Sequence, residues 1–145
     1  MIESPETQAP SVEGSPPTRV RNWFRWVAVV LYMGVLFTLS SFSTLPDLPG
    51  HPSDKLAHLA AFGILGLLLA WAISKGRWRS VNGGVVVMVT LLCTCYGYSD
   101  EFHQKFVPGR SYDLWDMAAD ALGGFLASVG LWAWSILSRG SLRTR

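Results

Sequence analysis

The chain has 145 residues, is 50% hydrophobic and 15% charged, and carries a net charge of +2. Soluble domains average about 25% charged residues, so the charge deficit and a mean hydropathy of +0.28 exclude an ordinary soluble domain. The near-neutral balance excludes a broad basic surface for nucleic acid. Cys93 and Cys95 lie two apart in an apolar run and point to different faces of a helix, which excludes a disulfide or zinc framework.

In chain order, residues 1–18 hold Pro5, Pro10, Pro16, Pro17, Glu3, Glu6 and Glu13 and almost no large apolar side chains. Such a stretch cannot bury enough surface to order itself and is expected to be a disordered tail. No short apolar core follows a basic start, so it does not read as a signal peptide. Four apolar spans follow, at 23–42, 55–74, 81–98 and 114–137. Each approaches the roughly 20 residues that carry a helix across about 30 Å of hydrocarbon. In lipid the backbone must satisfy itself, which favours helices. The expected fold is an all-α integral membrane bundle of four transmembrane helices, with a domain at 19–138 and a basic tail at 139–145. The connectors are a turn-rich loop at 43–54, a basic hairpin at 75–80 and a polar segment at 99–113.

Arg19, Arg21, Arg25, Lys75, Arg77, Arg79, Arg139, Arg143 and Arg145 gather on one side of an even-span topology, leaving Lys55, Lys105 and Arg110 on the other. By the positive-inside rule both termini are expected to be cytoplasmic. Outside the tail, the acids are Asp47, Asp54, Asp100, Glu101, Asp113, Asp116 and Asp120. All are expected on the outward side or within two turns of it, together with His51, His58 and His103. Ser53 suits a cap for the second helix and Asp54 its first turn. His58, four residues on, shares the face of Asp54. If the third helix continues past Tyr98, Asp100 and Gln104 share a face. Asp113, Asp116 and Asp120 form an inward-running stripe, and Asp120 would sit two turns down, where a charge needs partners. Pro108 and Gly109 make a turn that presents Arg110, whose planar fork suits phosphate or carboxylate.

Plainer readings exist for each: a helix-end charge for Asp54, a snorkelling anchor for Lys55, an interhelical hydrogen bond for His58, loop solvation for His103 and Asp113. Arg110 would then pair with Asp113 or Glu101, and Asp116 and Asp120 with Lys55 or Arg110. Ala119, Gly123, Gly124, Ala127 and Ser128 make a small-residue face that close helix packing explains.

The segments SDKLAHLAAFGILG (53–66) and GYSDEFHQKFVPGRSYDLWDMAADALGGFLAS (97–128) resemble the VanZ-like family of membrane proteins. The resemblance rests on Asp54, Lys55 and His58, on Glu101, Gln104, Phe106, Pro108 and Arg110, and on Asp116, Asp120 and Gly123. Leu59 stands where the family pattern has an aromatic, and Asp120 where Asn is usual. The resemblance implies a four-helix protein of the bacterial inner membrane, in a family named after a glycopeptide resistance protein, and hence a link to glycopeptide tolerance.

Three functions fit these residues. The first is binding or processing of a phosphorylated lipid or cell-envelope precursor. There His58, Glu101 and Asp116 are the candidate catalytic groups and Asp54, Lys55, Gln104, Arg110 and Asp120 the ligand-binding ones. Asp116, Asp120 and Glu101 would hold a divalent cation such as Mg²⁺. The second is a non-catalytic accessory or scaffold whose polar cluster is a helix-packing network. The third is a proton-coupled carrier, disfavoured by the apolar inner half of the spans. Lipid bilayer is the expected partner; nucleic acid is not.

Overall fold

The computed structural model describes residues 20–43 and 54–140. The expected disordered tail, the loop with Asp47, His51 and Ser53, and most of the basic C-terminal tail lie outside the described residues. Four helices form: α1 (Val20–Ser40), α2 (Asp54–Ile73), α3 (Gly83–Gln104) and α4 (Leu114–Gly140), with a single 3₁₀ turn at Trp78–Ser80 between α2 and α3. All four are long and apolar enough to cross a membrane, and no strand occurs among the described residues. The protein is an all-α, multi-pass membrane bundle.

One boundary differs in a way that matters. The third helix does not end near Tyr98 but continues to Gln104. The polar segment expected at 99–113 therefore shrinks, and Asp100, Glu101 and Gln104 become buried helical residues. A hydropathy boundary falls at the first polar residues. The helix continues because these side chains find partners inside the bundle, as when Gln104 Nε2 donates to Asp100 Oδ2 at 3.1 Å. Similarly, α4 runs to Gly140 rather than stopping near 137.

The turns are made by local chemistry. Lys75 and Gly76 adopt left-handed φ values of 55° and 75°, and the Gly76 amide returns to the Trp71 carbonyl at 2.8 Å, a Schellman-type close of α2. Asn82 then caps α3, its Oδ1 accepting from the Val85 amide at 3.1 Å.

Helices α2 and α4 both start at the same end of the bundle and run parallel, in the most extensive contact of the fold. Their backbones meet at glycines. A Cβ on Gly123 would collide with the Leu59 carbonyl oxygen, and one on Gly66 would lie 2.9 Å from Gly124 Cα. The small-residue face of α4 is thus a packing surface. On its other side α3 lies antiparallel, with Cys93 where a Gly124 Cβ would go. Cys93 is buried and Cys95 exposed, as their spacing implies. Helix α1 is more peripheral, tied by Tyr32 Oη donating to the Ala61 carbonyl (3.0 Å) and Tyr96 Oη donating to the Met33 carbonyl (2.6 Å). Phe62, Leu65, Val89 and Cys93 fill the centre. Val30, Leu31, Val87, Trp134 and Leu137 face outward, as lipid-contacting residues do.

Candidate functional site

The charged residues converge at the end where α2 and α4 begin. Lys55 and His58, one turn apart on α2, face the acidic stripe of α4. Lys55 Nζ donates to Asp113 Oδ2 at 2.8 Å and to Asp116 Oδ1 at 3.1 Å. One turn deeper, His58 Nδ1 meets Asp120 Oδ1 at 2.9 Å. Parallel helices in matched register put two bases of one against three acids of the other, so the i, i+3, i+7 spacing of the acids becomes a ladder.

The His58 ring lies nearly parallel to that of Phe62, centroids 6.5 Å apart, and its side chain is only 12% exposed, while Asp120 is fully buried. With an ionised Asp120, the proton sits on Nδ1 and Nε2 is the ring nitrogen left for chemistry. Asp120 has room only because its neighbour on α3 is glycine: a Cβ on Gly97 would lie 2.6 Å from Asp120 Oδ2. Sequence reasoning passed over Gly97. The available signal was a glycine inside a helix, which costs about 1 kcal/mol relative to alanine and so marks a close approach.

Asp113 also does more than loop solvation. It caps α4, with Oδ1 accepting from the Trp115 amide at 2.8 Å. Its own amide donates to Glu101 Oε2 at 2.9 Å. The Lys55 ammonium, together with the Trp115 amide, holds the Asp113 carboxyl below its ordinary value. An Asp just before a helical run is a readable cap signal.

Above the ladder lies a polar cavity of about 370 Å³, lined by Asp54, Gln104, Arg110, Asp113 and Asp116, with Ser43 and Ser111. The turn presenting Arg110 forms as expected, with Gly109 at φ 81° and the Arg110 amide donating to the Val107 carbonyl at 3.1 Å. Arg110 Nε donates to the Phe42 carbonyl at 3.3 Å, and the guanidinium forms no ion pair among the described residues. The pairing expected with Asp113 or Glu101 is thus replaced by a backbone contact. His103 joins the end of α1 instead of standing in solvent. Its Nε2 lies 3.1 Å from Ser41 Oγ, and its ring packs on Phe37. Ser41 Oγ also donates to the Phe37 carbonyl at 2.7 Å. This pair is a link between helices, not an activated nucleophile.

The eight expected site residues therefore gather at one end, in layers. Asp54, Gln104, Arg110 and Asp116 line the cavity, Lys55 bridges two of the acids, and His58 and Asp120 lie one turn below. Glu101 supports the Asp113 turn from behind. The expected cation set of Asp116, Asp120 and Glu101 is divided by this layering. Among the described residues, Asp54, His58 and Asp116 are the set whose ligand atoms lie within 4.8 Å of one another. Asp100 Oδ1, Glu101 Oε1 and Asp120 Oδ2 are buried without hydrogen-bond partners.

A family model described as VanZ/LLP1 matches residues 4–137. The chain belongs to the VanZ/LLP1 family. The match contains the whole polar end and all but the last turn of the bundle. An uncharacterised protein of the fission yeast Schizosaccharomyces pombe is 28% identical over 112 residues, 77% of this chain and 66% of that protein. The chain thus spans just under two thirds of that relative. No solved structure matches. The carboxylate at position 120 has a geometric meaning. An Asn there would keep one oxygen for His58 Nδ1, but not the second carboxylate oxygen held against Gly97.

Proposed function

We propose that the cavity receives the phosphate-bearing headgroup of a membrane lipid or lipid-linked envelope precursor, and that the protein hydrolyses it. The carrying observation is the His58–Asp120 pair adjoining a polar cavity whose rim holds Arg110. A histidine oriented by a buried carboxylate through Nδ1 is the arrangement that supplies a general base at Nε2. Water gives its proton to Nε2 as its oxygen attacks phosphorus. The phosphorus–oxygen ester bond breaks, and the leaving alcohol oxygen takes the proton back from His58. Arg110 and the helix starts of α2 and α4 favour the phosphate oxygens, and Gln104 adds a neutral donor. Because a relative occurs in a yeast, the proposed substrate is a phosphorylated lipid of a kind common to bacterial and eukaryotic membranes; an envelope precursor, and with it glycopeptide tolerance, is the narrower bacterial form.

For the protein in its membrane, we take the unit at 19–138 with both termini cytoplasmic in a bacterial inner membrane, which turns the cavity outward. The support is the basic residues at the opposite end, among them Arg25, Lys75, Arg77, Arg79 and Arg139.

The test is release of phosphate or water-soluble headgroup from phosphorylated lipids in mixed micelles. His58→Gln should lower turnover about 10²–10⁴-fold, the usual worth of general acid–base catalysis. Turnover unchanged in His58→Gln removes the reading. The accessory reading is favoured by the Lys55 bridge between Asp113 and Asp116. Its mark is a wild type without turnover whose polar-end variants all melt early.

A further inference from the structure

We infer that Glu101 is the positioning residue for Arg110: through the Asp113 amide it fastens the connector between α3 and α4, so that the guanidinium stays at the cavity. This role rests on the reading of the cavity as a site for lipid phosphate, and it gives a part to a buried carboxyl that the hydrolytic step does not use.

Glu101 is fully buried in α3 and does not line the cavity. Whatever it does for a ligand there passes through another residue. Its Oε2 accepts from the Asp113 amide at 2.9 Å, a bond between residues twelve apart in sequence. An acceptor set in a packed helix gives the far end of the connector a fixed point.

The connector needs one. Its first half is held by the end of α3. The Phe106 amide donates to the His103 carbonyl at 2.9 Å and the Val107 amide to the Gln104 carbonyl at 3.0 Å, and the Val107 side chain is buried. From Pro108 to Asp113 no residue is buried, and Gly109 stands at φ 81°. A stretch with so few buried contacts opens easily on its own. Arg110 lies in this stretch. Its Nε reaches the Phe42 carbonyl at 3.3 Å, beyond the usual range for a strong hydrogen bond, and Phe42 is itself exposed.

Asp113 is the tie at the other side, and it is double. Its carboxylate caps α4 at the Trp115 amide and accepts from Lys55 on α2, whereas its amide goes back to α3 through Glu101. Loss of the amide bond would leave the cap and the Lys55 bridge in place but free the connector from α3, with Arg110 three residues away. A guanidinium held in place meets phosphate oxygens with its planar fork already oriented. One on a loose connector must be ordered at each binding event, at a cost in affinity.

The experiment measures binding of mixed micelles containing phosphatidic acid, against micelles containing diacylglycerol, to the full-length protein in detergent. Turnover is read on the same proteins. Arg110→Ala should weaken binding about 10- to 100-fold, the worth of a hydrogen bond to a charged group. Glu101→Met fills the volume without an acceptor and should weaken binding about 3- to 10-fold, the cost of ordering one long side chain. The loss should appear in KM rather than kcat. Hydrogen exchange of residues 105–113 should quicken in the same variant. In the Arg110→Ala background Glu101→Met should weaken binding no further, because its effect passes through Arg110. Glu101→Gln keeps an oxygen for the Asp113 amide and should restore wild-type affinity. Glu101→Asp keeps the charge but falls one methylene short, and should behave as Glu101→Met does; it takes that variant's place in the cycle if Glu101→Met does not fold.

Equal losses with and without Arg110 overturn the inference, since a merely structural role adds its loss in either background. The reverse order, with Glu101→Asp normal and Glu101→Gln weak, overturns it as well and assigns Glu101 a role through charge. The expected binding pattern without turnover leaves the positioning role standing and removes the hydrolytic reading. Turnover whose KM is unchanged in Glu101→Met and Glu101→Asp does the opposite. A wild type that does not prefer phosphatidic acid to diacylglycerol overturns both.

Discussion

The two ends of the bundle bury polar groups by opposite means. At the end where α3 begins, the buried hydroxyls are closed off on backbone carbonyls, and the buried Arg25 guanidinium lies over the Phe24 and Trp71 rings. Ser135 Oγ donates to the Val81 carbonyl at 2.9 Å, Ser128 Oγ to the Gly124 carbonyl at 2.9 Å, and Asn82 caps α3. These bonds are neutral, and no carboxylate is buried at this end among the described residues. At the end where α2 and α4 begin, side chains meet side chains across helices, and three carboxylates still have an oxygen unsatisfied. The first pattern is sufficient to hold helices together. The second exceeds what packing needs, and ionisable side chains buried within membrane spans are a mark of function more often than of stability.

The largest test of this contrast is at Asp120. Asp120→Ala strands His58 Nδ1 and opens a void, and breaking a buried pair costs about 3–5 kcal/mol. Asp120→Asn keeps an acceptor for Nδ1, so its cost should be much smaller, while turnover falls with the lost orientation and charge. Thermal melts and turnover on the same three proteins check this. If Asn and Ala melt alike, the hydrogen bond to His58 is not what Asp120 contributes, and the contrast between the ends loses its main support.

Much of this was legible in the sequence, and unevenly so. The four spans are readable because each is apolar around most of its circumference, a signal that needs no partner. The stripe Asp113, Asp116 and Asp120 is readable as one face because helical periodicity is local. Which base meets which acid is not, because Lys55 and His58 face them through a register set by glycine contacts between α2 and α4. Whether α3 continues past Tyr98 is left open by the sequence for the related reason that Asp100, Glu101 and Gln104 are polar in composition but buried in place. Gly97 was invisible because its role is the volume it leaves for Asp120, a residue distant in sequence.

A smaller effect is expected at the opposite end. Ser135 is fully buried and its bond to Val81 ties α4 to the start of α3. Ser135→Ala should cost about 1 kcal/mol, the net worth of one neutral hydrogen bond, and leave turnover untouched. A loss of turnover beyond what the melting shift explains would mean that the two ends are coupled, and that the quiet end is part of the mechanism.

The smallest effect concerns the rim of the ladder. Asp113 is held below its ordinary carboxylate value chiefly by the hydrogen bond from Lys55, then by the Trp115 amide. A carboxyl whose folded pKa is depressed adds stability that is fully present above its unfolded value, near 3.8, and is lost as pH falls through the folded value. Melting temperatures of wild type and Asp113→Asn should therefore differ at pH 6 and converge as pH is lowered below that range. The difference should be slight and shrink with salt, since Lys55 and Asp113 are solvent-accessible and such pairs are screened. A gap that instead persists at low pH would assign the effect of Asp113 to capping geometry rather than charge. The Lys55 bridge would then be a tether between α2 and α4, and the surplus of ionisable groups that separates the two ends would lie only in the buried layer of Asp100, Glu101 and Asp120.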